Sequence, residues 1–377
     1  MTDDVAIDSD NPFPGQLFNA PTPPGVAGED VYEGCVTPGA TYTGGNVTVA
    51  NFLAVLTGNA SAATGPVLRS DAGSKVFINL VDHGGAGLFA FPSDLLYADQ
   101  LHGALGAMTA ARMFSEVVFY LESCESGSMF ENILPNATGI YAATASGPDE
   151  SSWGTFCPGD PDSPGASSVN GTDLQTCLGD LFSVNWMEAV FQNCSLGAAG
   201  RCTEPLSLNF NITAAWTNLS TPQQYGDLRF QAAPVGGWVS NGRAPFPPAA
   251  RPRPRAPPQL GAVSARGATA ASLRARGRSD ARAFAEQARQ EKLQQKHEVA
   301  LHAVARKLVG APSADAVAFP RGFAAWACYR EANAHVDYTD ASLRLSKVVA
   351  AACAADPAGA PARIAAACAA AGGCKGA

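Results

Sequence analysis

Three short apolar runs constrain the fold of this chain more than any other feature. They read VFINLV, VVFYL and GIYAA, and they occupy residues 76–81, 117–121 and 139–143. Unbroken apolar runs of this length are typical of strands that are covered on both faces in a parallel sheet. Residues 94–113, between the first two runs, carry apolar residues at helical spacing. The pattern predicts a doubly wound α/β domain.

Composition divides the chain into three segments. Residues 1–230 contain the three runs, and further helices are predicted there at 48–57 and 181–191. Residues 231–270 are rich in Pro and Arg, which predicts an extended linker that is open to proteolysis. Residues 271–377 are rich in Ala, Arg, Glu, Gln and Lys, which favours a separate helical unit. Its helices are predicted at 278–309, 320–335, 341–355 and 360–371.

The overall composition argues against several kinds of partner. The 377 residues carry a formal net charge of −8, whereas nucleic-acid-binding proteins generally need a clustered basic face. No uninterrupted apolar stretch reaches membrane-spanning length. None of the ten cysteines forms a C-x-x-C pair, so no zinc ribbon is expected. We therefore expect no nucleic acid, no membrane span, no metal and no cofactor.

Seven glycosylation acceptor patterns, all before residue 220, indicate passage through a secretory system. The N-terminus reads MTDDVAIDSDNPFPG, which is polar and lacks the basic and apolar segments of a signal peptide. These two observations conflict. The acceptors are Asn46, Asn59, Asn136, Asn170, Asn193, Asn211 and Asn218.

Reactive residues follow the first two predicted strands directly. The first strand runs into DHGG at 82–85, and the second runs into ESCESGS at 122–128. If these strands are neighbours, His83 and Cys124 face the same crevice at the carboxyl ends of the sheet. A thiol near an imidazole, with backbone N–H groups for an oxyanion, is what nucleophilic acyl transfer requires. We expect the amides of Gly84 and Cys124 to supply these N–H groups, because Gly84 lets a substrate carbonyl approach closely.

Other interpretations of these residues remain open at this point. A histidine at a strand end is often structural, and a cysteine there is often a small buried hydrophobe. The HGG element also resembles the oxyanion loop of lipases and esterases. That interpretation needs a G-x-S-x-G elbow, which the chain does not contain.

Longer motifs make the local sequence recognisable. DHGG-x-G and ESCESGSMFENILP are followed by YAATAS at 141–146, ESSWGTFCPGD at 150–160, TCLGDLFSVNWME at 176–188 and QQYGD at 223–227. These segments closely resemble the legumain family of asparaginyl endopeptidases, or vacuolar processing enzymes. The resemblance covers about residues 1–230, and the W-G-T-x-C-P-G element is closest to the plant-type members.

The resemblance implies a caspase-like α/β fold, with a mostly parallel sheet flanked by helices. It also implies cleavage of proteins and peptides after Asn, less readily after Asp, by hydrolysis or by ligation to an incoming amine. By motif position Cys124 is the nucleophile and His83 is its partner. An Asn amide is both donor and acceptor, so a pocket of mixed polarity suits it. The residues that match the substrate-binding positions are Asp82, Glu122, Ser151 and Asp180. The resemblance further implies a surface disulfide between Cys157 and Cys177.

The helical tail resembles the C-terminal prodomain of the family, which covers the cleft until acid and self-cleavage remove it. The resemblance therefore implies a zymogen, its own tail as inhibitor, and a vacuolar or lysosomal compartment. Asn241 is a candidate for self-cleavage. The cysteine spacing of the tail differs from the family pattern, so its disulfide pairing stays open. A tail that merely packs on the core is the alternative.

The front of the chain departs from the family. MTDDVAIDSDNPFPG aligns with an internal family segment that usually reads MYDD. We therefore expect a sequence that begins internally, without the family's signal peptide and first two strands. An inactive homologue that binds partners is a second hypothesis. A third is the catalytic subunit of a GPI-anchor transamidase, which shares the His/Cys arrangement.

Overall fold

The computed structural model describes residues 1–2, 5–32, 41–158, 165–193, 202–239, 263–264, 299–334, 336, 343–371 and 374. The Pro/Arg-rich part of the predicted linker, the first part of the helix predicted at 278–309, and Asn241 lie outside the described residues. No described helix combines the length and apolar character that crossing a bilayer requires.

The described strands and helices alternate along the first part of the chain, and helices alone make up its end. The strands are β1 (Lys75–Val81), β2 (Gly84–Gly85), β3 (Leu88–Ala90), β4 (Leu95–Tyr97), β5 (Glu116–Glu122), β6 (Ile140–Thr144), β7 (Trp153–Thr155), β8 (Ser168–Val169), β9 (Thr172–Asp173), β10 (Gly179–Asp180), β11 (Gln223–Gly226) and β12 (Val263–Ser264). The helices are α1 (Val49–Leu56), α2 (Ala98–Ala110), α3 (Leu181–Asn193), α4 (Leu206–Trp216), α5 (299–309), α6 (Trp326–Asn333), α7 (Ser346–Ala355) and α8 (Ala360–Ala370).

The central sheet has four strands in the order β1-β5-β6-β11. β1, β5 and β6 are parallel, and β11 runs antiparallel to β6. The three apolar runs of the sequence form the three parallel strands, so the prediction of a mostly parallel α/β sheet is confirmed. Within the described part of the chain, β1 forms one edge of this sheet.

Helices cover both faces of the sheet. Alternate residues of a strand point to opposite faces. Val117, Phe119 and Leu121 of β5 accordingly pack with α1 and α2, whereas Val118 and Tyr120 pack with α3 and α4. β5 is buried on both sides for this reason, and its sequence is apolar without alternation. The doubly wound arrangement places the carboxyl ends of β1 and β5 side by side.

The C-terminal helices share a hydrophobic core with β3 and β4 of the sheet domain, defined as residues 1–230. α5, α6, α7 and α8 surround buried residues that continue into β3 and β4, including Leu88 and Tyr97. Disulfides join Cys328 to Cys353 and Cys368 to Cys374. The described tail is therefore packed against the sheet domain.

The structure differs from the sequence prediction in several places. β1 was expected to be covered on both faces, but Asn79 and Val81 are exposed because it lies at the edge of the described sheet. The helix predicted at 320–335 begins only at Trp326. The helix predicted at 94–113 begins only at Ala98, because Leu95–Tyr97 pair with Leu88–Ala90 as β4. The segment 157–180, interpreted as loop, contains the small β8–β9 hairpin and β10. Helix α4 was not predicted, since its sequence LSLNFNITAAW has apolar residues without a clear helical face.

Candidate active site

The ends of β1 and β5 bring the two reactive segments together. Val81 lies opposite Glu122 in the parallel register, and the Asp82 amide donates to the Glu122 carbonyl oxygen at 3.2 Å. A Cβ placed on Gly84 would lie 2.4 Å from the Cys124 carbonyl oxygen. The chain that follows His83 therefore packs directly against the segment that carries Cys124, and only a glycine fits at residue 84.

Cys124 is fully buried, and its sulfur contacts Ser152. Its Sγ lies 3.9 Å from the Ser152 carbonyl oxygen and 3.9 Å from the Ser152 Oγ. The thiol is thus directed at a residue that sequence reasoning did not select. Ser151, which matches the family position, is the half-buried neighbour. Two adjacent serines before β7 gave no local signal of which one faces the sulfur.

The loop after Cys124 turns sharply. Glu125 has a φ of 49°, in the left-handed region, and a short 3-10 helix at Ser126–Met129 follows it. The Ser128 Oγ donates to the Glu125 carbonyl oxygen at 2.5 Å and accepts the Gly87 amide at 2.7 Å. This hydroxyl therefore ties the loop of the cysteine to the loop of the histidine.

A buried carboxyl group, that of Glu122, lies at the end of β5. The Glu122 side chain is 2% exposed, and its Oε2 accepts the Ser183 amide at 2.6 Å in the first turn of α3. The positive end of a helix favours a carboxylate there. Burial nevertheless raises the pKa of Glu122 well above its ordinary value, and nearby Asp180 raises it further. The Glu122 Oε1 is buried, and no described residue bonds to it.

Asp180 interacts electrostatically with both this carboxyl and the histidine. It ends β10, one residue before α3 begins. Burial raises the pKa of Asp180 to about 6, while His83 lowers it and Asp82 raises it. Because Asp180 interacts electrostatically with Glu122, His83 and Asp82, these four residues form one cluster. The cluster can hold a proton near neutral pH and can both donate and accept hydrogen bonds.

A disulfide supports the segment that leads to Asp180. It joins Cys157 to Cys177, 20 residues apart. The bridge closes the connection between β7 and β10, which pair antiparallel with Asp180 opposite Gly154. The stretch before β7 carries Ser151 and Ser152, so the paired strands and the bridge hold both serines and Asp180 in one unit.

The C-terminal tail contacts both reactive loops. The Tyr329 hydroxyl donates to the Ala86 carbonyl oxygen, and the Ala86 amide donates to the Ser346 Oγ at 3.0 Å. Lys347, the next residue, lies against Glu125 and Asp149. The tail thus covers the loop after His83 and the loop after Cys124.

Comparisons with known proteins agree with this geometry. A profile described as the Peptidase C13 family matches residues 1–241. The chain is similar to the vacuolar-processing enzyme of Citrus sinensis, at 44% identity over 192 residues, or 50% of this chain and 36% of that protein. It is also similar to the hemoglobinase of Schistosoma mansoni, at 41% over 229 residues, or 61% of this chain and 47% of that protein. The chain spans less than half the length of each of these relatives.

Proposed function

The chain belongs to the Peptidase C13 family, and we propose that it is a cysteine endopeptidase in which Cys124 is the nucleophile and His83 its proton partner. The observation that carries the proposal is the packing of the two loops at the carboxyl ends of β1 and β5. This packing brings a thiol and an imidazole to the same edge of the sheet, as acyl transfer requires.

The proposed reaction proceeds through a thioester. His83 accepts the Cys124 thiol proton, and the thiolate attacks the peptide carbonyl carbon. The amides of Gly84 and Cys124 stabilise the oxyanion. The C–N bond then breaks, and His83 returns its proton to the leaving amine. Water hydrolyses the thioester and regenerates the thiol. An incoming amine in place of water gives ligation.

The proposed specificity is for Asn before the cleaved bond. The support is the cluster of Glu122 and Asp180, because burial raises both pKa values and so favours a protonated carboxyl group there. A protonated carboxyl donates to the amide oxygen, and a carboxyl oxygen accepts from the amide NH₂ group. The buried Glu122 Oε1, to which no described residue bonds, is available for this purpose. Asp82 and Ser151 complete the proposed pocket.

The proposed precursor is a zymogen whose tail inhibits the site. The contacts of Tyr329, Ser346 and Lys347 with the reactive loops support this role. Cleavage within 231–270 would separate the sheet domain at 1–230 from the tail at 271–377. Acid removes the negative charge of carboxylates that face Lys347, so low pH weakens the docking. Relatives named vacuolar-processing enzymes lead us to propose an acid vacuolar or lysosomal compartment.

The test is cleavage of a fluorogenic Asn peptide by the full chain after incubation at about pH 5, where carboxylates begin to protonate. Cys124→Ala should lower the rate by about 10³-fold or more. Cys202→Ala is the matched control, because Cys202 is the other unbridged cysteine among the described residues and lies away from the site. Full asparaginyl cleavage by Cys124→Ala would remove Cys124 from the mechanism. Absence of cleavage by a folded wild-type chain would favour a binding protein.

A further inference from the structure

A lysine of the tail is buried beside the nucleophile. Lys347 lies in the first turn of α7 and is 7% exposed. Lysine is almost never buried to this extent unless it is paired. Its partners are Glu125, which directly follows Cys124 and is 3% exposed, and Asp149. A lysine buried between two carboxylates indicates that these carboxylates have a role of their own at the site.

Three oxygen atoms of the sheet domain converge on the ammonium group. The Lys347 Nζ donates to the Asp149 carbonyl oxygen at 2.9 Å. It lies 3.5 Å from the Asp149 Oδ1 and 3.7 Å from the Glu125 Oε1. The carbonyl oxygen accepts a hydrogen bond, and the two carboxylate oxygens lie at ion-pair distance from the same ammonium group.

The sheet domain holds these oxygen atoms in place by itself. The left-handed backbone of Glu125 fixes the turn from which its side chain leaves the loop. The Glu125 amide donates to the Glu150 carbonyl oxygen at 2.8 Å, which links residue 125 to the segment of Asp149. The Glu150 Oε1 in turn accepts the amides of Gly147 and Thr221 at 2.7 Å each. The tail supplies the cation, but it supplies none of these bonds.

We propose that Glu125 and Asp149 form a substrate subsite for a lysine side chain, which Lys347 fills while the tail is docked. This inference rests on the proposed function. When the tail leaves, the carboxylates of Glu125 and Asp149 and the Asp149 carbonyl lose their lysine partner, and Glu125 is the residue next to Cys124. A lysine close to the cleaved bond restores the lost ion pairs, whereas an acidic side chain is repelled. Glu125 and Asp149 thus hold the inhibitory tail before activation and select substrates after it.

The kinetic test uses a set of Asn peptides with Lys, Ala or Glu at each of two positions on either side of Asn. The full chain is first incubated in acid and then assayed at about pH 6, where ordinary carboxylates are ionised. At one position the kcat/KM should be about five to ten times higher for Lys than for Ala, and lowest for Glu. Equal values for Lys and Ala at all four positions would overturn the subsite.

Variants identify the groups responsible. Glu125→Gln and Asp149→Asn should each reduce the preference for Lys while Ala peptides are still cleaved. Glu131→Gln is the matched control, because Glu131 is exposed and is not one of the residues that contact Lys347. It should keep the full preference. Unchanged preference in both Glu125→Gln and Asp149→Asn would also overturn the subsite.

A binding test does not depend on turnover. In the full chain with Lys347→Ala, n-butylammonium should raise the thermal midpoint by roughly 2 °C or more, and n-butanol should not. The response should disappear when Glu125→Gln is added. A midpoint that does not respond to n-butylammonium would contradict the subsite. If no Asn peptide is cleaved but the midpoint rises, the proposed function fails and the cation site stands.

Discussion

The Ser146 Oγ donates a hydrogen bond of 3.1 Å to the carbonyl oxygen of Ser123, the residue immediately before Cys124. The same Oγ accepts the amide of Ser126 at 3.2 Å, two residues after Cys124. Ser146 is fully buried, two residues after β6 ends. One hydroxyl therefore holds the backbone on both sides of the proposed nucleophile.

Ser146→Ala should misplace Cys124 without altering the substrate pocket. It leaves a buried carbonyl and a buried amide without this partner, at a cost of about 1–3 kcal/mol. We expect kcat to fall about tenfold with little change in KM, and Ser146→Thr to recover most of the loss. Ser115→Ala, which removes an exposed hydroxyl bonded to the Ser74 carbonyl oxygen at 3.0 Å, should change neither constant. A rise in KM with unchanged kcat would contradict a positioning role.

Glu122 should act as a neutral group. Burial raises its pKa well above the ordinary value, which favours the protonated form. Glu122→Gln should therefore keep Asn cleavage within about tenfold of wild type, because an amide preserves a donor and an acceptor. Glu122→Ala should lose about 100-fold, since the Ser183 amide and the substrate amide both lose a partner. Equal losses in the two variants would show that a charge is required.

The sheet domain should become less stable as the pH rises from mildly acid to neutral. Both Glu204 carboxyl oxygens are buried, and no described residue bonds to them; burial raises the pKa of Glu204 to about 7. The ordinary pKa of a glutamate is lower. At pH values between the ordinary pKa and the raised one, the folded state therefore binds one more proton than the unfolded state. The resulting stability is complete below the ordinary pKa and is lost as the pH rises through about 7.

Glu204→Gln should remove this dependence. At about pH 8 the variant should melt roughly 2–4 °C above wild type, and in acid the two should coincide. Glu188→Gln, at a half-buried carboxylate of α3, is the comparison variant. Thermal denaturation across the pH range measures the difference. A variant that is less stable than wild type at every pH would show that the charge is stabilised by its surroundings.

The ion pair of Arg330 with Asp99 should help to hold the tail. Arg330 belongs to α6 and Asp99 to α2, so the pair joins the tail to the sheet domain. Arg330→Ala should shorten the lag before activity appears on acidification by a few-fold, because a partly exposed pair contributes about 1 kcal/mol. Arg363→Ala is the control, since the Arg363 partner Asp356 lies within the tail. Equal lags in both variants would remove this pair from tail docking.

The amino-acid sequence alone predicted the three parallel strands of the central sheet, but not β11. Apolar runs predicted all three strands; β5 and β6 are buried on both faces, whereas β1, at the sheet edge, alternates buried residues with exposed or half-buried ones. The position of His83 and Cys124 after two such strands predicted that their loops would meet, because parallel neighbours end at the same edge. The longer motifs indicated the family, and the profile match over residues 1–241 agrees with that assignment.

Only the tertiary structure decided the contacts around the site. Ser152 contacts the sulfur, and Lys347 reaches Asp149 across 198 residues of sequence. Likewise Cys328 pairs with Cys353, a connection that cysteine spacing left open. Such contacts depend on loop backbone angles, as at Glu125, and on how separate helices pack. Neither has a period or a spacing that a single sequence displays, because the free energy that selects them comes from groups distant along the chain.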